Sequence, residues 1–235
     1  MQGHEWRRVW AIVWKDTLTE RRTKAAFNAM AFFAGLVLLI FAFAIGPDVP
    51  VTGPAGQGLL EYIAPGLVWV AILLTGVLAL GRSFQVEMEN GALEGLRLYP
   101  GERRSIGIGK IIANVATLTA MEVLIVPIAG VLYSIDLWSK LPALAAVLFL
   151  ATLGFAAVGT FYAALTANLR AREVMLPLLL FPVMVPVVLA AVKATFLILN
   201  GDLMGELSAW VRLLVVFDAV FVTVCTLAFG FAIEE

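Results

Sequence analysis

From residue 59 to residue 104 the sequence reads LLEYIAPGLVWVAILLTGVLALG and then RSFQVEMENGALEGLRLYPGERR. The first half is a nearly unbroken apolar run. About 20 such residues, rising 1.5 Å each as a helix, cross about 30 Å of hydrocarbon. The second half, residues 82–104, holds eight of the chain's 33 Asp, Glu, Lys and Arg residues. A stretch that can live in lipid therefore runs directly into one that needs water. The rest of the chain repeats the first half more than the second.

Of 235 residues, 62% are hydrophobic and 14% charged, with a mean hydropathy of +0.97. A soluble domain carries about 45–50% apolar and about 25% charged residues, so this is the composition of an integral membrane protein. Six runs are long enough to span: residues 25–45, 59–81, 106–133, 141–167, 174–199 and 210–233. They predict an all-α membrane protein in one domain, 1–235. The fifth run carries Pro177, Pro182 and Pro186 and is expected to be bent or broken. Small residues Gly154, Gly159, Ala163 and Ala167 mark close helix packing. An even number of spans puts both termini on one side.

The cations choose that side. Arg7, Arg8, Lys15, Arg21, Arg22 and Lys24 precede the first run. Arg82, Arg97, Arg103, Arg104 and Lys110 lie between the second and third, and Arg170 and Arg172 between the fourth and fifth. These are thirteen of sixteen; only Lys140, Lys193 and Arg212 fall on the other face. The positive-inside rule places the termini and residues 82–104 in the cytoplasm. Ala42-Phe43-Ala44 imitates a signal-peptide cleavage site, but the apolar run before it exceeds the 7–15 residues of a signal's core.

Residues 1–24 show Trp6, Val9, Trp10, Val13, Trp14, Thr17 and Leu18 at three- and four-residue spacing, with most charges elsewhere. That pattern predicts an amphipathic helix lying in the membrane interface against lipid. In residues 82–104, Phe84, Met88, Ala92, Leu96 and Tyr99 share one helical face, and Glu87, Asn90, Glu94 and Arg97 the other. Gly91 and Gly95 weaken a straight helix, and Tyr99-Pro100-Gly101 ends it. A solvated loop touching lipid and a docking surface for a partner fit this pattern equally well.

Several chemistries are excluded. Gly109-Lys110 lacks the upstream Gly and following Ser/Thr of a phosphate-binding loop. One Cys (Cys225) and one His (His4) rule out a disulfide framework and a Cys/His zinc site. The net charge of −1 gives no reason to expect nucleic acid as a partner. Ionisable residues inside the spans are costly and mark a clamp between helices or a transport path. They are Glu122, 14 residues or about 21 Å beyond Ile108, and Asp218 at similar depth, with Glu61, Lys193 and Arg212 nearer the outer boundary. Pairing of Lys193 or Arg212 with Glu61, Glu122 or Asp218 is expected.

The run GRSFQVEMENGALEGLRLYP with the Gly-Lys at 109–110 resembles the cytoplasmic loop of the CcmB family, the haem exporter B proteins. So do KDTLTERRTKAAFNAMAFF near the start, APGLVWVAILLTGVLALGRSF in the second run, AAVGTFYAALTANLRAREVMLPLLLFPVMVPVVLAAV across the fourth and fifth, and FDAVF in the sixth. The resemblance implies an ABC-2-type exporter permease of the bacterial cytoplasmic membrane, without catalysis of its own. It implies a homodimer of permeases, a CcmA-like ATPase that hydrolyses ATP, and CcmC-, CcmD- and CcmE-like partners in cytochrome c maturation. Residues 82–104 would then be a coupling helix seated in the ATPase, with Phe84 and Leu93 as anchors, Glu87 and Glu94 as polar contacts and Gly91 at the bend. Haem would be the handled substrate, with no cofactor bound directly, since His4 lies on the wrong face for an external axial ligand. Either haem crosses, or ATP use releases a loaded chaperone. An ABC-2 permease for a lipid, drug or glycan and a non-transporting scaffold for cytochrome assembly remain as alternatives.

Overall fold

A computed structural model describes residues 2–22, 24–46, 49, 58–84, 104–167, 169 and 171–232, with side chains described at 5–19, 27–46, 49, 58–84, 104–167, 169 and 171–230. Among the described residues the chain is all-helical. The elements are α1 (Gln2–Arg22), α2 (Lys24–Ile45), α3 (Leu59–Ser83), α4 (Arg104–Leu132), a short 3₁₀ turn (Trp138–Lys140), α5 (Leu141–Thr166), α6 (Arg172–Asn200) and α7 (Leu207–Ala232). Helices α2 to α7 are each long and apolar enough to cross a membrane. In hydrocarbon a helix is the form that satisfies its own backbone, so long apolar runs fold this way.

Helix α5 is the hub: it packs on α3, α4, α6 and α7, while α2 lies against α3 and α4. Half of the spanning stretch of both α3 and α5 is buried. Their contact depends on missing side chains. A Cβ at Gly159 of α5 would collide with Leu80 of α3, and one at Gly76 of α3 would collide with the Phe155 ring of α5. Each glycine is the socket for a large residue of the other helix, which is how small residues bring membrane helices together.

Few polar bonds cross between spans, and each fixes a register. The Trp69 indole N–H donates to Thr195 Oγ1 (3.0 Å), joining α3 to α6. Asn114 Nδ2 donates to Thr160 Oγ1 (2.8 Å), joining α4 to α5. At the opposite end from residues 84 and 104, the Tyr133 hydroxyl donates to the Leu38 carbonyl (3.1 Å), and Lys140 Nζ to the Leu199 carbonyl (3.0 Å). There the two oxygens of Asp202 accept from the N–H groups of Glu206 and Leu207, capping the start of α7.

Two expectations are refined. Of the bent or broken helix expected for the proline-rich run, the break is absent: α6 is continuous through Pro177, Pro182 and Pro186. The stripe on α1 is two faces. Val9 and Val13 are buried, and α1 packs on α4, whereas Trp6, Trp10 and Trp14 are two-thirds exposed. The described part of the helix thus turns its valines to the protein and its indoles outward.

Gly159→Ala should lower the thermal unfolding midpoint of the detergent-purified protein, because overpacking a tight core costs about 1–3 kcal/mol. Adding Leu80→Ala should recover part of the loss. An unchanged midpoint in Gly159→Ala would show that the α3–α5 contact is looser than described.

Candidate functional site

The most unusual group in the bundle is Lys110, seven residues into α4. Its side chain is only 2% exposed. A cation so placed needs strong partners, since losing water costs several kcal/mol per ion. Among the described residues, three groups lie close to it. Asp16 Oδ2 of α1 lies 3.0 Å from Nζ, the Ser83 carbonyl at the end of α3 accepts from Nζ at 2.7 Å, and the Phe84 ring centroid is 5.0 Å away. The carbonyl is one of the acceptors every helix leaves open at its C-terminus, where a cation is favoured. The ring offers its negative face.

The same junction takes in a fourth helix. The Phe84 and Phe229 rings lie 6.4 Å apart, and Phe229 of α7 presses on Gly107 of α4, where a Cβ would be 2.5 Å from its ring. Two residues on, Gly109 faces Ile12 of α1, with room for a Cβ only 3.0 Å from it. Helices α1, α3, α4 and α7 therefore meet at one end of the bundle. This is the end where the chain leaves α3 at Phe84 and re-enters α4 at Arg104.

Of the residues expected to couple to a partner, Phe84 is buried in this junction. Glu87, Gly91, Leu93 and Glu94 lie outside the described residues, as does the side chain of His4. The intramembrane acids are dispersed. Glu122 is buried and accepts a hydrogen bond from the Thr152 hydroxyl of α5. Asp218 is buried against Gly154, and neither of its carboxylate oxygens has a hydrogen-bond partner among the described residues. Glu61 is half-buried, while Lys193 and Arg212 are exposed, Arg212 Nε donating to the Ser208 carbonyl. Among the described residues no ion pair joins either cation to Glu61, Glu122 or Asp218. Nor do three or more His, Cys, Asp or Glu side chains gather there as a metal site.

The family model described as CcmB protein matches residues 7–235. The chain belongs to the CcmB family. Its relatives include the Heme exporter protein B of Haemophilus influenzae, 34% identical over 73% of this chain and 73% of that protein. The Heme exporter protein B of Pseudomonas aeruginosa is 30% identical over 77% of each chain. That of Paracoccus denitrificans is 31% identical over 78% of this chain and 80% of its own.

From the sequence, Lys110 is one of the positive-inside cations, part of a failed phosphate loop and part of the Gly-Lys that carries the family resemblance, with nothing to mark it as buried. The junction makes it a structural cation of this CcmB member. A helical wheel could have flagged the neighbouring glycines on α4, but not Asp16, which lies in a different helix. Asp16→Ala should destabilise the detergent-purified protein by about 3 kcal/mol, the low end for breaking a buried pair, because it removes an acidic partner from a buried cation. Asp16→Leu with Lys110→Met, which removes both charges, should unfold closer to the wild type. A double variant as unstable as Asp16→Ala would show that the charge pair is not what holds the junction.

Proposed function

We propose that this chain is the membrane-spanning subunit of a haem-exporting complex in c-type cytochrome maturation, energised by a separate CcmA-like ATPase. The observation that carries this is the family match over residues 7–235, with relatives named Heme exporter protein B. The junction adds support. Residues 82–104 bear the chain's densest run of charge outside the leader; where the chain leaves α3, Ser83 and Phe84 meet Lys110 of α4, which pairs with Asp16 of α1, and Phe84 lies near Phe229 of α7. A push on the segment would reach four helices at once.

On this reading residues 82–104 form the coupling helix of an ABC-2-type permease. Glu87 and Glu94 meet donors on the ATPase, and Phe84 and Leu93 anchor the segment. The permease works as a homodimer in the bacterial inner membrane with both termini in the cytoplasm, beside CcmC-, CcmD- and CcmE-like proteins. The outward Trp6, Trp10 and Trp14 row lies at headgroup depth. Haem is cargo and ATP belongs to the partner. Glu122 and Asp218 are the buried acids that line or clamp the path.

In a bacterium deleted for its own family member, this chain should restore holo-cytochrome c. Glu87→Lys with Glu94→Lys should reduce the yield at least about tenfold at equal membrane levels and lose the co-purifying ATPase. Full yield and full ATPase recovery would remove the coupling assignment, and failure of the wild-type chain to restore any holo-cytochrome c would remove the function.

Orientation is tested separately. Glu173 in the first turn of α6 and Met204, four residues beyond its last, are exposed, and the native Cys225 is buried. A Met204→Cys protein should react with an impermeant maleimide added to whole spheroplasts, and Glu173→Cys only after lysis. The reverse pattern would overturn the orientation.

A further inference from the structure

Helices α2 and α6 both pack along α3 or α5 rather than on each other. Between them, at the end of the bundle nearest Phe84, a cavity of about 450 Å³ opens. That volume falls within the roughly 300–1,000 Å³ of small-molecule sites. Its walls are mostly apolar, with the aromatic rings of Phe33 and Phe84 and the side chain of Leu176 among them. Its rim is charged: Arg82 from the last turn of α3, Arg172 from the start of α6, and Glu173 beside it. Arg172 is also engaged with other groups of the protein. Among the described residues, two cations and one anion leave the rim net positive. Arg82 is exposed there, and its fork of donors fits a carboxylate.

We propose that this cavity is the loading site for haem on the cytoplasmic side, the ring lying between the apolar walls and a propionate on Arg82. The proposal rests on the reading of haem as cargo. Haem is a flat apolar macrocycle with two carboxylates on one edge, so it presents to one cavity the two surfaces this one offers. Aromatic side chains suit a planar ring, and a rigid ligand loses little freedom on binding. Among the described residues that line the site there is no histidine. The site therefore recognises haem by its edge and its face, and releases it without breaking an Fe–His bond. The gap opens between two helices long and apolar enough to span the membrane, so on this reading the amphiphile enters sideways from the leaflet.

The test uses the full chain in nanodiscs of phosphatidylcholine, titrated with haem and followed at the Soret band. Arg82→Gln should weaken binding at least about tenfold, the loss expected for a charge-assisted hydrogen bond, and Arg82→Lys less. Ala29→Trp, at an exposed position on the cavity wall, should weaken it independently. Adding phosphatidylglycerol to the discs should leave the wild-type affinity within about twofold. Wild-type affinity in both Arg82→Gln and Ala29→Trp would overturn the site while leaving the cargo reading intact. Phosphatidylglycerol that displaces haem and co-purifies in an Arg82-dependent way would overturn it in favour of a lipid site. A wild type that takes up no haem would also overturn it. The cargo reading is then decided by the cytochrome assay above, which does not require haem to rest in this chain.

Discussion

Apolar helices in lipid gain nothing by hiding from their solvent, because the lipid tails are as apolar as leucine. What holds such a bundle in one arrangement is close steric fit and the few polar groups that can find partners only inside the protein. The fit is concentrated where Gly159 receives Leu80 and Gly76 receives Phe155. The polar pairs, Trp69–Thr195, Asn114–Thr160 and Thr152–Glu122, then set the rotation of each helix about that contact. Such bonds average only about 0.6 kcal/mol in a membrane protein, so they specify more than they stabilise.

Lys110 is the exception in strength. It sits at the end of the bundle where α1, α3, α4 and α7 converge, and holds the last carbonyl-bearing turn of α3 to α1 through one buried charge. Mechanically this makes the four helix ends one body. Under the proposed function that body is what a partner on residues 82–104 would move, and the cavity has the same Phe84 ring in its wall. Coupling and loading would then meet at a single aromatic side chain.

The spans were legible because hydrocarbon thickness imposes a length. Residues 59–81 became Leu59–Ser83, and 141–167 became Leu141–Thr166. Gly154 and Gly159 were legible as close contacts for the same reason that small residues recur in membrane helices. The inward face of each span was not, since a helix apolar on all sides has no polar face to point outward. That is why Glu122 was expected to meet a cation and instead meets Thr152. The division of α1 between buried Val9 and exposed Trp10 was hidden because both residues look apolar in a pattern. Asp16 and Lys110 are separated by two spans, and no local spacing relates them. The cavity depends on α2 and α6 leaving a gap over α3, a property of packing alone.

The three prolines of α6 have a consequence for stiffness. A proline has no N–H, so the carbonyl four residues earlier loses its helical donor. Pro177, Pro182 and Pro186 release those of Glu173, Leu178 and Pro182, all within the first half of one unbroken helix. Fewer rungs mean a lower bending modulus there than along the rest of the helix, from Val187 to Asn200. Pro177 is itself part of the cavity wall, next to Leu176. The wall of the cavity is thus built from the most compliant stretch of its helix, and its width can change by flexing α6 with fewer backbone hydrogen bonds to strain.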